Sequence, residues 1–184
     1  MRFASVVLLL AVGAFFGTGS SSAAEPAFKT PSLLTSSGQS SDVVVVKALL
    51  NTQLKLGLTV KPVAGPEDLA GMRSLVIVVG ASVKGLGAAG LDMEKEIART
   101  AALLKAARDQ KLPILVMHTG GESRRGKTSN DLIQLVVPEA DRVVVVASGN
   151  RDKVFQQLAE KRQTPVVEVE RLASAGEAVR ALFQ

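Results

Sequence analysis

The chain has 184 residues, a formal charge of +5, and no cysteine, tryptophan or tyrosine. Disulfide and thiolate chemistry are thereby excluded, a single histidine without cysteine argues against a zinc site, and the core has to be aliphatic. The positive excess is modest and spread along the chain, with no basic run or interleaved aromatic residues, which argues against nucleic-acid binding.

The first segment, MRFASVVLLLAVGAFFGTGSSSAA, has one cation, Arg2, an apolar stretch from Ala4 to Phe16, and small residues at Ser22 and Ala24. This is the anatomy of a secretory signal peptide over residues 1–24, and the apolar run is shorter than the roughly 20 residues that span a bilayer. The expectation is an exported protein, periplasmic or secreted, with a mature chain from about Glu25 and no stable membrane insertion. Its charge would be +4 once Arg2 is removed. No cysteine follows the apolar run, so a lipid anchor is excluded. Residues 25–184 fit one domain.

In chain order, FKTPSLLT (28–35) predicts a weak first strand. DVVVVKALLNTQLK (42–55) has strand-like residues, but the spacing Val43, Val46, Leu50, Leu54 predicts a helix. LTVKPV predicts a short strand, PEDLAGM a turn or two of helix, and SLVIVVGA (74–81) a buried strand. LDMEKEIARTAALLKAARDQK (91–111) predicts the clearest helix, with an apolar stripe of Met93, Ile97, Ala101, Leu104 and Ala107 and with Asp92 to Glu96 at its positive end. PILVMH, RVVVVAS and PVVEVE predict three more strands. SNDLIQLVV, DKVFQQLAEKR and SAGEAVRALF predict the helices that follow or alternate with them. Apolar strands without alternation, separated by helices, predict a three-layer α/β sandwich. Its sheet would be mostly parallel with five or six strands, flavodoxin-like or Rossmann-like.

The two kinds of connection differ. Helix-to-strand loops are plain, whereas the strand-to-helix loops, TSSGQSSD (35–42), GASVKGLGAAG (80–90), HTGGESRRGKTSND (118–131) and ASGNRD (147–152), are rich in Gly, Ser, Asn and cations. In a parallel sheet these share the carboxyl edge, where ligands bind and helix N-termini present free N–H groups. Ordinary N-caps and turns account for any one loop. All four together, two of them far longer than the usual ~2–6 residues, point to a site.

Two motifs in these loops mislead. GESRRGKT (121–128) matches the Walker A pattern, but no strand ends in an apolar run plus Asp, the loop follows a late strand with an extra Thr119-Gly120, and nucleoside triphosphates are scarce outside the cytoplasm. GLGAAG (85–90) matches a dinucleotide fingerprint, but it starts five residues after Gly80, and the next strand ends in His118 where an acid is expected. Its glycines read instead as a flexible lip over a pocket.

His118 is the single histidine, at the end of a buried strand. It reads either as a hydrogen-bonding group between loops or as a general acid or base. Ser36, Ser37 or Ser82 could serve as its nucleophile and Glu122 or Asp42 could orient it. No G-x-S-x-G elbow is present. No cofactor is expected, although magnesium held by Asp and phosphate oxygens stays open.

The segments SSGQS, VVGASVKGLGAAG, HTGGESRRG, ADRVVVVASGN and VFQQLA, taken in this order, resemble an uncharacterised family of exported bacterial proteins known only as a domain of unknown function. The resemblance implies an extracytoplasmic α/β domain whose signature lies in these loops. That signature covers Gly120 to Gly126 without requiring the following Lys-Thr, and it implies no reaction.

The leading expectation is a site for a small anionic ligand, bearing a phosphate, carboxylate or sulfate group, at the carboxyl edge. Arg124 and Arg125 would hold it, with Ser36, Ser37, Gly38, Gln39, Ser82, Lys84, Gly85, Gly87, Gly121, Glu122 and Asn150 around them and His118 within reach. The alternatives are a hydrolase or transferase using His118, and an interaction domain docking a protein partner in an envelope complex. The arginines read equally as a salt-bridge network with Glu122 and Asp131.

Overall fold

The computed structural model describes residues 28–183; the expected leader and its cleavage position lie outside them. Six strands, β1 (Ser32–Ser37), β2 (Thr59–Val60), β3 (Ser74–Val79), β4 (Ile114–His118), β5 (Arg142–Val146) and β6 (Val166–Val169), form one sheet in the order β2-β1-β3-β4-β5-β6. Every pair is parallel. This is the flavodoxin-like order extended by one strand. The first strand lies a few residues later than the sequence suggests, and Phe28 instead makes an isolated bridge to Phe183.

Both faces of the sheet are covered, which is why its central strands are apolar without alternation. On one face α3 (Met93–Asp109), α4 (Lys127–Val136) and α5 (Val154–Ala159) pack Leu103, Leu104, Leu132, Ile133, Val136 and Phe155 onto Leu75, Ile77, Ile114, Val116 and Val143. On the other, α1 (Asp42–Lys47) and α6 (Ala175–Arg180) pack Val43, Val46 and Val179 onto Leu34, Val76, Leu115 and Val144. The four-valine run is helical as the spacing predicts: Val43 and Val46 are buried, while Val44 and Val45 are 63% and 52% exposed. The helix continues as a wider π turn over Ala48–Gln53. Burial of two valines and two leucines from these adjoining segments outweighs the weak helix propensity of β-branched residues.

Two expectations are corrected here. The stretch read as a flexible lip contains a helix, α2 (Val83–Ala88), capped by the Ser82 side chain, which accepts from the Gly85 N–H at 3.1 Å. A Ser N-cap satisfies one of the free N–H groups of the first turn, and this offsets the low helix propensity of Gly85 and Gly87. The buried stripe of α3 is also rotated by one position. It comprises Glu96, Thr100, Leu103, Leu104 and Ala107, leaving Ile97 37% exposed. The cause is a set of hydrogen bonds that draws Glu96 inward.

All strands run the same way, so the loops after β1, β3, β4 and β5 gather at the carboxyl edge, as predicted. The strand order reverses between β1 and β3.

Candidate functional site

The crevice at the switch in strand order, where a doubly wound sheet takes its ligand, is filled by the chain itself. Gly38, at φ +105°, lies so close to Gly80 that an added methyl would overlap the Gly80 carbonyl oxygen, and one on Gly85 would overlap the carbonyl of Gln39. Gln39 and Ala81 form a bridge, and Ser82 donates its N–H to the Gly38 carbonyl at 2.8 Å.

Beneath this contact lies Glu96, fully buried. Its Oε1 accepts from the Gly38 N–H (2.6 Å), Gln39 Nε2 (3.1 Å) and Arg99 Nη2 (2.8 Å), and its Oε2 accepts from Arg99 Nε (2.8 Å). Arg99 also donates to the carbonyls of Ser36 (2.6 Å) and Ala64 (2.7 Å). Ser37 pairs through its hydroxyl with Thr100 at 3.2 Å, while Ser36 is buried. Ser36, Ser37, Gly38 and Gln39 are thus a latch joining β1 to α3. The pattern missed Glu96, although a signal was there: Glu96 and Thr100 stand at i and i+4 of the stripe completed by Leu103, Leu104 and Ala107.

His118 is fully buried beside Phe155, with ring centroids 5.3 Å apart. Its Nδ1 lies 3.0 Å from the Val79 carbonyl and its Nε2 lies 3.2 Å from the Gly121 carbonyl. Burial pushes its pKa below the ordinary value, and the charge of Arg125 adds to that, while the two carbonyls and Asp42 pull the other way. A neutral ring has one N–H and donates to one of the two carbonyls. The ring is wedged between β3 and the loop after β4, and its tautomer decides which of the two it is bonded to.

The arginine partners also differ from the expected Glu122 and Asp131. Arg124 lies 3.5 Å from Asp42 and donates to the Ser41 hydroxyl at 3.3 Å. Arg125 donates to Asn130 Oδ1 (2.9 Å), to the Gly149 carbonyl (2.5 Å) and to both oxygens of Asp152 (3.1 and 2.7 Å). Glu122 pairs with Arg151 at 3.0 Å, and Asp131 pairs with Lys127 at 3.1 Å. The Walker-like run therefore forms a 3-10 turn (Gly121–Arg124) followed by α4, with the Lys127 side chain 89% exposed.

Glu122 and Arg125 line a shallow hollow of about 200 Å³ with Ser148, Gly149, Arg151 and Asp152. Two glycines bring the loops after β4 and β5 together there. Gly121 has φ +59°, and a side chain on it would meet the Ser148 hydroxyl; a Cβ on Gly149 would lie 2.8 Å from His118 Nε2 and 3.0 Å from the Gly121 carbonyl carbon. Below, buried Asn150 donates to Gln156 Oε1 (2.7 Å) and Glu168 Oε1 (2.8 Å) and accepts from the Phe155 N–H (3.3 Å). Lys153 also donates to Glu168 (2.7 Å), and this contact is the largest of those that lower the Glu168 pKa. The expected site residues thus divide among a latch, the capped helix carrying exposed Lys84 and Gly87, the Arg124 contact and the hollow. Ser148, Arg151 and Asp152 were missed, although they flank the predicted Asn150 in the run SGNRD.

The loops that carry the sequence signature, and nearly all the chain around them, match one family. Residues 29–183 match the Domain of unknown function (DUF6305). The chain belongs to this family. No curated protein and no solved structure matches it. The family's description names no reaction.

Proposed function

We propose that this DUF6305 domain is an exported binding protein for a small ligand with an anionic group, held in the hollow between the loops after β4 and β5. One observation carries the reading: Arg125 and Arg151, from different loops, both reach a concave, glycine-floored surface at the ligand-binding edge of a parallel sheet. Arg125 is fixed by its neighbours. Arg151 is held by one pair with Glu122, the two side chains being 72% and 68% exposed. Such a pair contributes ~0–1 kcal/mol, so a ligand oxygen can replace it at little cost. At about 200 Å³ the hollow is below the ~300–1,000 Å³ of drug-sized pockets, so the ligand is small. Acid–base catalysis by His118 has no support in exposure, because the ring is fully buried.

The test is titration of residues 25–184 with sodium phosphate, sulfate and acetate, read by calorimetry, on wild type and Arg151→Ala. A hydrogen bond to a charged group contributes about 1.5–3 kcal/mol, so Arg151→Ala should weaken binding at least tenfold. Equal binding by the variant, or no binding by wild type of any small molecule bearing a carboxylate, sulfate or phosphate group at tens of millimolar, defeats the reading.

A second reading, protein docking, draws on Val83 and Val44. These lie in the first turns of α2 and α1 at the same edge and are 79% and 63% exposed. Val83→Asp with Val44→Asp should leave stability unchanged and abolish crosslinking to any envelope partner. Unaltered crosslinking would remove this alternative.

A further inference from the structure

The charges around the hollow are balanced, two of each sign, and that balance bears on what it holds. Resting on the ligand-site reading above, we infer that the ligand is a zwitterion, a small molecule carrying a carboxylate and an ammonium group, of which an α-amino acid is the simplest class.

The lining carries two cations, Arg125 and Arg151, and two anions, Glu122 and Asp152. A simple anion would meet both carboxylates as well as both guanidinium groups and would leave the hollow with an excess negative charge. A simple cation has the mirror problem. A zwitterion leaves the balance at zero and gives each end an opposite partner. The hydrogen-bond inventory supports the same division. Arg125 has five N–H groups. Four are committed, to Asn130, to the Gly149 carbonyl and to the two oxygens of Asp152, leaving one on Nη2 without an acceptor among the described residues. The replaceable Arg151 can receive a carboxylate, with the charge of Arg125 on the same lining. Asp152 is 56% exposed and keeps acceptor capacity beyond Arg125, while Glu122 has Arg151 alone as its ion-pair partner among the described residues. These two can receive an ammonium. When such a ligand enters, Arg151 and Glu122 exchange each other for the ligand's two ends, so no charge is left unpaired.

The test uses four probes of similar size: L-alanine, sodium acetate, ethylammonium chloride and sodium phosphate. Binding to the mature protein is followed by amide chemical shifts at Ser148, Gly149 and Arg151, which locate each probe as well as measuring its affinity. L-alanine should bind at least tenfold more tightly than acetate or ethylammonium. Glu122→Gln is decisive because its effects have opposite signs: it should weaken L-alanine about tenfold while strengthening acetate and phosphate. The exposed side chain makes misfolding a poor explanation, and an unchanged melting temperature would show that the fold is intact. If acetate or phosphate binds at these amides as well as L-alanine does, or if Glu122→Gln leaves L-alanine unaffected, the zwitterion inference fails and the anion site stands. If no probe moves these amides at tens of millimolar, both fail together.

Discussion

Glu96 offers the sharpest test of how this edge is built. Glu96→Ala would delete a fully buried carboxylate that accepts four hydrogen bonds, two of them from Arg99, whose side chain is 11% exposed. The guanidinium would keep its Ser36 and Ala64 carbonyl partners but lose its counter-charge, and the Gly38 N–H would be stranded at the centre of the β1–β3 contact. Removing one partner of a buried ion pair costs about 3–5 kcal/mol. For a domain of this size, ~1 kcal/mol moves the melting temperature by ~2–4 °C, so a fall of ~6–20 °C is expected. Glu96→Gln can keep the three bonds to Oε1 but turns an amide donor toward Arg99 Nε, so it should fall between wild type and Ala. With no tryptophan or tyrosine in the chain, unfolding is best followed by far-ultraviolet circular dichroism in urea. A double-mutant cycle with Arg99→Ala should give a coupling above about 1 kcal/mol. A loss below about 1 kcal/mol for Glu96→Ala, or zero coupling, would refute the argument that this pair is desolvated and cross-links the edge.

Gly149→Ala should destabilise the fold by ~1–3 kcal/mol, because the added methyl meets buried His118 and the Gly121 backbone. Gly87→Ala, in α2 with nothing within 4 Å, should stabilise it by about 0.4–1 kcal/mol; a urea titration of both variants checks the two signs. The lowered pKa of His118 predicts a pH dependence. Above the unfolded pKa of ~6.5 both states hold a neutral ring, but below it the unfolded chain takes up a proton that the folded protein resists, so stability falls until the folded pKa is reached. Urea midpoints measured at pH 7.5 and 5.5 should show the decline, and His118→Gln should remove that component. Asn150→Ala should cost about 1–3 kcal/mol by leaving the Phe155 N–H unpaired. Asn150→Asp should cost more at pH 7 than at pH 4, since it sets a second carboxylate against Glu168 Oε1, 2.8 Å from the present amide; equal losses at both pH values would count against that contact.

The sequence by itself determined the layers. Unbroken apolar strands such as SLVIVV can be buried only under helices on both faces, and strand–helix alternation with right-handed crossovers makes the pairing parallel. Once the sheet is parallel, the four unusual loops must meet at one edge, so their common location was legible before any coordinates. The helical spacing of Val43, Val46 and Leu50 also carried enough information to override the strand propensity of valine. What the sequence did not carry was which charges pair. Arg124 and Arg125 are neighbours in the chain, yet one turns to Asp42 after β1 and the other to Asp152 after β5. Glu96 looked like a surface acid favouring a helix terminus, and it is buried because Gly38, Gln39 and Arg99 converge on it. Hydrophobic periodicity is a local property, readable from a window of a dozen residues. Hydrogen bonds and ion pairs act over about 3 Å, and apart from Glu96 with Arg99 the groups just named are 27 to 82 positions apart. Only the folded chain brings such groups together, and their pairing decides that the crevice after β1 is closed while the hollow after β5 is open.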